Sequence, residues 1–242
     1  LQLDEVSQDD KLDFLSAWAT THRVVAQGDG KAVLEVGESN WALPIPIVKR
    51  GDAWVFDTRA GADEMSTRRI GRNELSAMEA ALAYFDAQKE YARQEHQPGM
   101  GRVYAQKFRS SPGKKDGLYW DSTAGGEPSP IGPAYTATSP DGAYHGYFYR
   151  ILSAQGPNAP GGAYAYVSQG RMNSGFALIA WPARYGQTGI MSFMVSHDGT
   201  VYQKNLGPDT DSLARAMRRF DPGPGWNSVQ PPSVLAAGNN KK

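Results

Sequence analysis

The stretch that most constrains this chain is DEMSTRRIGRNELSAMEAALAYFDAQKEYARQE, residues 63–95. Leu75, Met78, Leu82 and Phe85 recur at intervals of three and four, and a second stripe carries Ala77, Ala81, Tyr84, Gln88 and Tyr91. That spacing predicts one long helix with a one-sided apolar face. Asp63 and Glu64 suit a first turn, Arg93 a last one, and Gln97-Pro98-Gly99 a stop. At 1.5 Å per residue such a helix extends roughly 50 Å, long enough to lie across a sheet. Gly71 costs about 1 kcal/mol against Ala in a helix interior, so a start at Asn73, a good N-cap, is the alternative. Arg68, Arg69 and Arg72 read as a solvated face pairing with Asp63, Glu64 and Glu74 rather than as a binding patch.

Around this helix the sequence predicts an α+β fold in two parts. Residues 1–60 read as a small helix-plus-antiparallel-meander unit. A helix within residues 1–27 puts Leu12, Leu15 and Trp18 on its inner side. Gln27-Gly28-Asp29-Gly30 is a turn. Strands follow at 32–36, at 41–48, where Pro44 and Pro46 point to an edge, and at 53–57 after the Arg50-Gly51-Asp52 turn. The tryptophans here are expected in the core.

Residues 61–229 read as the long helix on an antiparallel sheet. Its strands are expected at Tyr147–Leu152, Phe176–Trp181, Ile190–Ser196 and Thr200–Asn205, with Pro182 stopping the second and His197-Asp198-Gly199 closing a hairpin. Residues 97–145 are dense in Pro, Gly and Ser. They predict an ordered irregular insertion pinned by Tyr119, Trp120, Tyr135 and Tyr144, with a short helix around Tyr104, Ala105, Phe108 and Arg109. Asp209 or Thr210 is expected to cap a helix carrying Leu213, Ala216 and Met217. Residues 230–242 are expected to form a mobile tail.

Composition narrows the function classes. Lys plus Arg and Asp plus Glu number 25 each in 242 residues, so there is no electrostatic footprint for nucleic acid or for an anionic membrane surface. No run approaches the length of a membrane span. The chain has no cysteine, which removes disulfides, thiol catalysis and thiolate metal sites and is compatible with an oxidising compartment. Residue 1 is Leu rather than Met, so a removed N-terminal leader is expected.

No phosphate-binding Gly-rich loop and no nucleophile elbow occur. The histidines at 22, 96, 145 and 197 lack metal-ligand spacing, and Asp116, Asp121 and Glu127 lack the spacing of a calcium loop. No catalytic residue, metal or cofactor is therefore expected. His145 reads as a structural histidine at a strand entry and His197 as an exposed turn residue. The candidate binding residues are Tyr119, Trp120, Tyr144, His145 and Arg150; Tyr and Trp are the side chains that most often anchor interfaces.

Two resemblances add to this reading. The runs RRIGRNEL (68–75), SPGKKDGLYW (111–120), GEPSPIGP (126–133), YHGYFYRIL (144–152), QGPNAPGGAY (155–164) and VYQKNLGPDT (201–210) resemble a bacterial family of exported proteins designated domain of unknown function 2950. That family has no established activity, so the resemblance supplies no catalytic roles. It implies an N-terminal leader, a periplasmic or envelope location and a two-part layout. ALAYFDAQKEYA (81–92), YFYRIL (147–152) and residues 176–202, with their Gly186-Gln187-Thr188-Gly189 turn, resemble the globular domain of type IV pilins and type II secretion pseudopilins. This implies a long helix on a sheet of three or four strands. No hydrophobic half-helix precedes it here, so filament assembly is not implied.

The resulting expectation is a non-enzymatic envelope protein that binds a partner protein or small ligand and does not span the membrane. A small-molecule or peptide binder with a pocket where the two parts meet is the alternative. An unrecognised hydrolase is a remote third, and it would need a cleft of converging ionisable groups.

Overall fold

A computed structural model describes residues 8–96, 98–121, 126–133 and 142–230, and the chain divides between Arg69 and Ile70 into two units. The fold is α+β. The expectations placed on Tyr135 and on residues 231–242 lie outside the described residues.

Unit 1 begins with α1 (Gln8–Thr20), followed by β1 (His22–Ala26), β2 (Lys31–Val36), β3 (Trp41–Ala42), β4 (Ile47–Arg50) and β5 (Ala53–Phe56). The strands form one antiparallel sheet in the order β1-β2-β4-β5, with β3 paired to β2. Gly28, Gly30 and Gly51 supply the positive φ of the two hairpin turns. Three sequence expectations need correction. The helix stops at Thr20, and His22–Ala26 is a strand, because Val24 and Val25 pair across to Leu34 and Val33. Leu12, Leu15 and Trp18 do not form a buried inner side, since α1 has no buried residue. It rests instead on half-buried Phe14 and Ala17: Phe14 meets Trp41, and Ala17 lies against Gly37. Trp18, Trp41 and Trp54 are exposed rather than core.

Helix α2 (Thr58–Tyr91) is one unbroken element of 34 residues. It starts before the acidic pair at 63–64 because Asp57 accepts the Ala60 N–H at 3.2 Å and so caps it. Asn73, the alternative cap, is mid-helix. The most deeply buried positions are Ala77, Ala81, Tyr84, Ala87, Gln88 and Tyr91, so the second stripe faces the core, while Leu82 and Phe85 flank it and Leu75 is exposed. Arg68 does pair with Glu64, at 2.8 Å, but Glu74 pairs with backbone instead.

Unit 2 adds β6 (Tyr147–Leu152), β7 (Ala154–Gln155), β8 (Tyr164–Ala165), β9 (Val167–Ser168), β10 (Arg171–Met172), β11 (Ala177–Pro182), β12 (Met191–Ser196), β13 (Val201–Asn205), α3 (Thr210–Ala216) and β14 (Asn227–Val229). The main sheet is antiparallel in the order β14-β13-β12-β11-β6, and its interior strand β11 is buried along its whole length. Pro182 ends β11 while still opposing Tyr147, rather than stopping the strand before it. β14, the edge strand beside β13, is absent from the sequence reading. The anticipated helix around Tyr104–Arg109 does not form. Tyr104 bridges Met172, and Gln88, Leu118 and Tyr119 take the backbone groups of Ala105, Lys107 and Phe108. At α3, Asp209 occupies the cap position without a side-chain cap bond, and Leu213 is exposed.

The runs 68–75, 144–152 and 186–191 meet at one end of this sheet. Asn73 Nδ2 donates to the Thr188 carbonyl at 2.9 Å, and Glu74 Oε1 accepts the N–H groups of Ile190 and Met191 at 2.9 and 3.0 Å. The Tyr147 hydroxyl donates to the Met191 carbonyl at 2.9 Å. Burial, and then the negative charge of Glu74, push its pKa well above the usual tyrosine value. Gly189 is pressed against this ring; a Cβ there would lie 2.1 Å from the Tyr147 hydroxyl oxygen. Gly189→Ala is therefore expected to destabilise the protein by roughly 2 kcal/mol or more, and Tyr147→Phe by about 1 kcal/mol. Chemical denaturation of the singles and the double should show the double only slightly less unstable than the sum, because losing the hydroxyl relieves the 2.1 Å contact while the ring carbons at 2.6 and 2.7 Å still crowd the methyl.

Candidate binding groove

The irregular insertion is built as a set of ties. Gln88, buried on α2, donates through Nε2 to the Ala105 carbonyl at 2.8 Å and accepts the Ala105 N–H at 2.8 Å. The Tyr91 hydroxyl donates to the Lys115 carbonyl at 2.7 Å. Within SPGKKDGLYW, Asp116 closes the loop on itself. It accepts the Ser111 N–H at 2.7 Å, the Ser111 hydroxyl at 3.0 Å and the Lys107 ammonium at 2.6 Å. Partial burial alone would raise the Asp116 carboxyl. The bonds from Lys107 and Ser111 outweigh it and hold the pKa at about 2. Gly117 must be glycine, because a Cβ there would sit 2.8 Å from the Arg109 and Ser110 backbone. Leu118 is then wholly buried, and Tyr119 N–H donates to the Phe108 carbonyl at 2.7 Å.

GEPSPIGP folds over Trp120. The indole N–H donates to the Glu127 carbonyl at 3.0 Å. The Glu127 carboxylate takes Lys115 at 2.5 Å and Gln94 at 2.6 Å, and the Lys115 hydrogen bond holds its pKa below the usual range. Ile131 is buried beside Leu118. The result is an open groove of about 360 Å³ lined by Tyr119, Trp120, Asp121, Pro128, Ser129, Ile131, Gly132 and Pro133. At its rim Tyr119 donates to Asp121 at 2.7 Å, and Arg109 pairs with Asp121 at 3.2 Å while lying over the Tyr119 ring.

Two of the sequence-predicted binding residues, Tyr119 and Trp120, thus share one groove; Tyr144, His145 and Arg150 do not line it. Tyr144 and Tyr147 close a tight turn in which His145 and Gly146 both have positive φ, and His145 is exposed at its tip. Arg150 ends α3: its guanidinium donates to the carbonyls of Ala214, Arg215 and Met217, where a cation suits the helix C-terminus. Sequence reasoning missed Asp116 and Gln88 as organisers of the groove. A polar residue inside an otherwise apolar helical stripe was the available signal for Gln88.

Two of the four histidines are held by stacking. His22 lies on Trp18 and His96 on Tyr91, with ring centroids 3.9 and 4.2 Å apart. His197 is not an exposed turn residue, as expected from sequence. It is half-buried among Tyr164, Tyr166 and Phe176, with Nε2 3.2 Å from the Tyr164 hydroxyl. Among the described residues no group of three His, Asp or Glu side chains lies close enough to hold a metal, and no helix is long and apolar enough to cross a membrane.

Asp116 gives a pH prediction. Its folded pKa is depressed, so its stabilisation is present above the unfolded value near 3.8 and is lost as pH falls towards about 2. Asp116→Asn is expected to cost about 1 kcal/mol at neutral pH, after allowance for solvent screening. Thermal melts at pH 7 and at pH 3 should show the gap between variant and parent shrinking at the lower pH.

No curated protein and no solved structure matches this chain. Residues 2–229 match the family described as "Protein of unknown function (DUF2950)". The match runs across both units and takes in every motif that builds the groove, so the chain belongs to that family.

Proposed function

We propose that this protein is a non-enzymatic binding protein of the bacterial cell envelope, and that the groove at Tyr119 and Trp120 receives an extended segment of a partner protein. One observation carries the reading: an open groove beside Tyr119 is lined by aromatic and proline side chains and shaped by ties to the rest of the insertion. Asp116, Glu127 and Gln88 make those ties from outside the lining. Aromatic grooves of this kind suit extended, proline-bearing segments, whose ordering costs little on binding. The Arg109–Asp121 pair at the rim offers both signs of charge to flanking residues. The envelope location is supported by family likeness and by a cysteine-free composition compatible with an oxidising compartment.

Gly132 gives a clean test, because a side chain added there meets nothing within 4 Å and its backbone conformation suits any residue. A photo-crosslinking residue placed at Tyr119 should capture a specific envelope polypeptide. Gly132→Trp, which fills the groove, should weaken that capture at least tenfold without lowering the melting temperature. No adduct, or an adduct indifferent to Gly132→Trp, would remove the proposal.

A further inference from the structure

The start of α2 closes a pocket within unit 1. Ala60, Glu64 and Arg68 follow one another at helical spacing and form one stripe of the helix. That stripe stands over one face of the sheet. Lys31 and Val33 share this face on β2, and Ala42 on β3 opposes Glu35, two residues beyond Val33. The connection from β3 to β4 forms the side wall. Its Leu43 N–H donates to the Leu34 carbonyl at 2.8 Å, and Pro44 and Pro46 keep it stiff. Gly61 lets the helix press on this wall, since a Cβ there would lie 3.0 Å from the Ile45 side chain. The space left is about 240 Å³, and every residue that lines it belongs to unit 1.

Floor and rim differ in chemistry. Val33, Ala42, Pro44, Pro46 and Ala60 are apolar, while Lys31, Glu64 and Arg68 bring charge. Two cations against one carboxylate leave a single positive charge. Arg68 Nε donates to Glu64 at 2.8 Å and its Nη1 to the Ala42 carbonyl at 2.8 Å, which fixes the guanidinium plane beside the pocket. Its Nη2 has no partner among the described residues, and the Lys31 ammonium makes no ion pair among them. The volume falls below the roughly 300 Å³ at which sites for drug-sized ligands begin, so it suits a small molecule and not a chain segment.

We infer that this pocket binds a small monocarboxylate with an apolar body, such as an aryl or branched-alkyl acid. The body lies against Val33 and the two prolines. The carboxylate meets Arg68 Nη2 and the Lys31 ammonium in charge-assisted bonds that a neutral molecule cannot make. Glu64 holds Arg68 in place and, being negative itself, disfavours a second negative charge on the ligand. The site is separate from the groove on the insertion and stands whether or not that groove takes a partner.

Phenylacetate is the probe, and backbone amide shifts of the full chain locate it. Saturable shifts are expected at Val33, Ala42 and Leu43. Phenylacetamide keeps the body without the charge, and acetate keeps the charge without the body; each should bind at least tenfold more weakly. Lys31→Gln should weaken phenylacetate binding at least fivefold at an unchanged melting temperature, because that side chain makes no ion pair within the fold. Lys49→Gln should leave binding as it is: Lys49 is two residues from Ile47, which opposes Ala32, and so lies on the other face of the sheet. No saturable shift at millimolar phenylacetate, an amide that binds as well as the acid, or equal effects of Lys31→Gln and Lys49→Gln would each overturn the inference.

Discussion

Much of unit 2 depends on two side chains one helical turn apart on α2. The Tyr84 hydroxyl donates to the Ala177 carbonyl of the interior strand β11 at 3.2 Å and accepts from Gln88 Nε2 at 3.0 Å. Gln88 in turn pairs with both backbone groups of Ala105. Both side chains are fully buried, and burial pushes the Tyr84 hydroxyl far above its ordinary pKa. A buried amide stabilises only when its donors and acceptors are matched. Here a glutamine acts as a short piece of β-ladder, so an irregular segment can be joined to a helix without regular structure of its own.

The motif runs of this sequence acquire physical meaning from such ties. Asn73 and Glu74 hold the strand after the Gly186–Gly189 turn. Gln155 Nε2 donates to the carbonyls of Pro160 and Gly162, its Oε1 accepts from Tyr166, and Asp221 accepts from Asn158 in the same loop. Gly156 lies where a Cβ would meet the Asp221 carboxylate at 2.3 Å. These residues read as architecture: polar side chains matched to backbone, and glycines where chains press together.

The sequence made the regular elements legible where periodicity was undisturbed. The strand at Tyr147–Leu152 and the Asp198-Gly199 hairpin follow from alternation and turn chemistry alone. Boundaries failed where a tertiary bond decided them: Asp57 caps α2 upstream of the expected start, and Asn73, which looks like a cap, reaches Thr188 instead. The segment around Tyr104–Arg109 carries helical spacing, but its backbone groups are taken by Met172, Gln88, Leu118 and Tyr119. Of the groove, Tyr119 and Trp120 were visible as loop aromatics. The walls supplied by Pro128, Ile131 and Pro133 depend on long-range ties such as Trp120 to Glu127, which no local pattern announces.

The central claim is that the insertion, and the groove it carries, hang from Gln88. Amide hydrogen exchange in Gln88→Leu measures this most directly, because the change keeps apolar volume while removing both bonds to Ala105. The account predicts lost protection at Ala105 and along Leu118 and Tyr119, with the strands around Ala177–Pro182 and Met191–Ser196 still protected. Unchanged protection at Ala105, or an equal loss throughout the sheet, would contradict it.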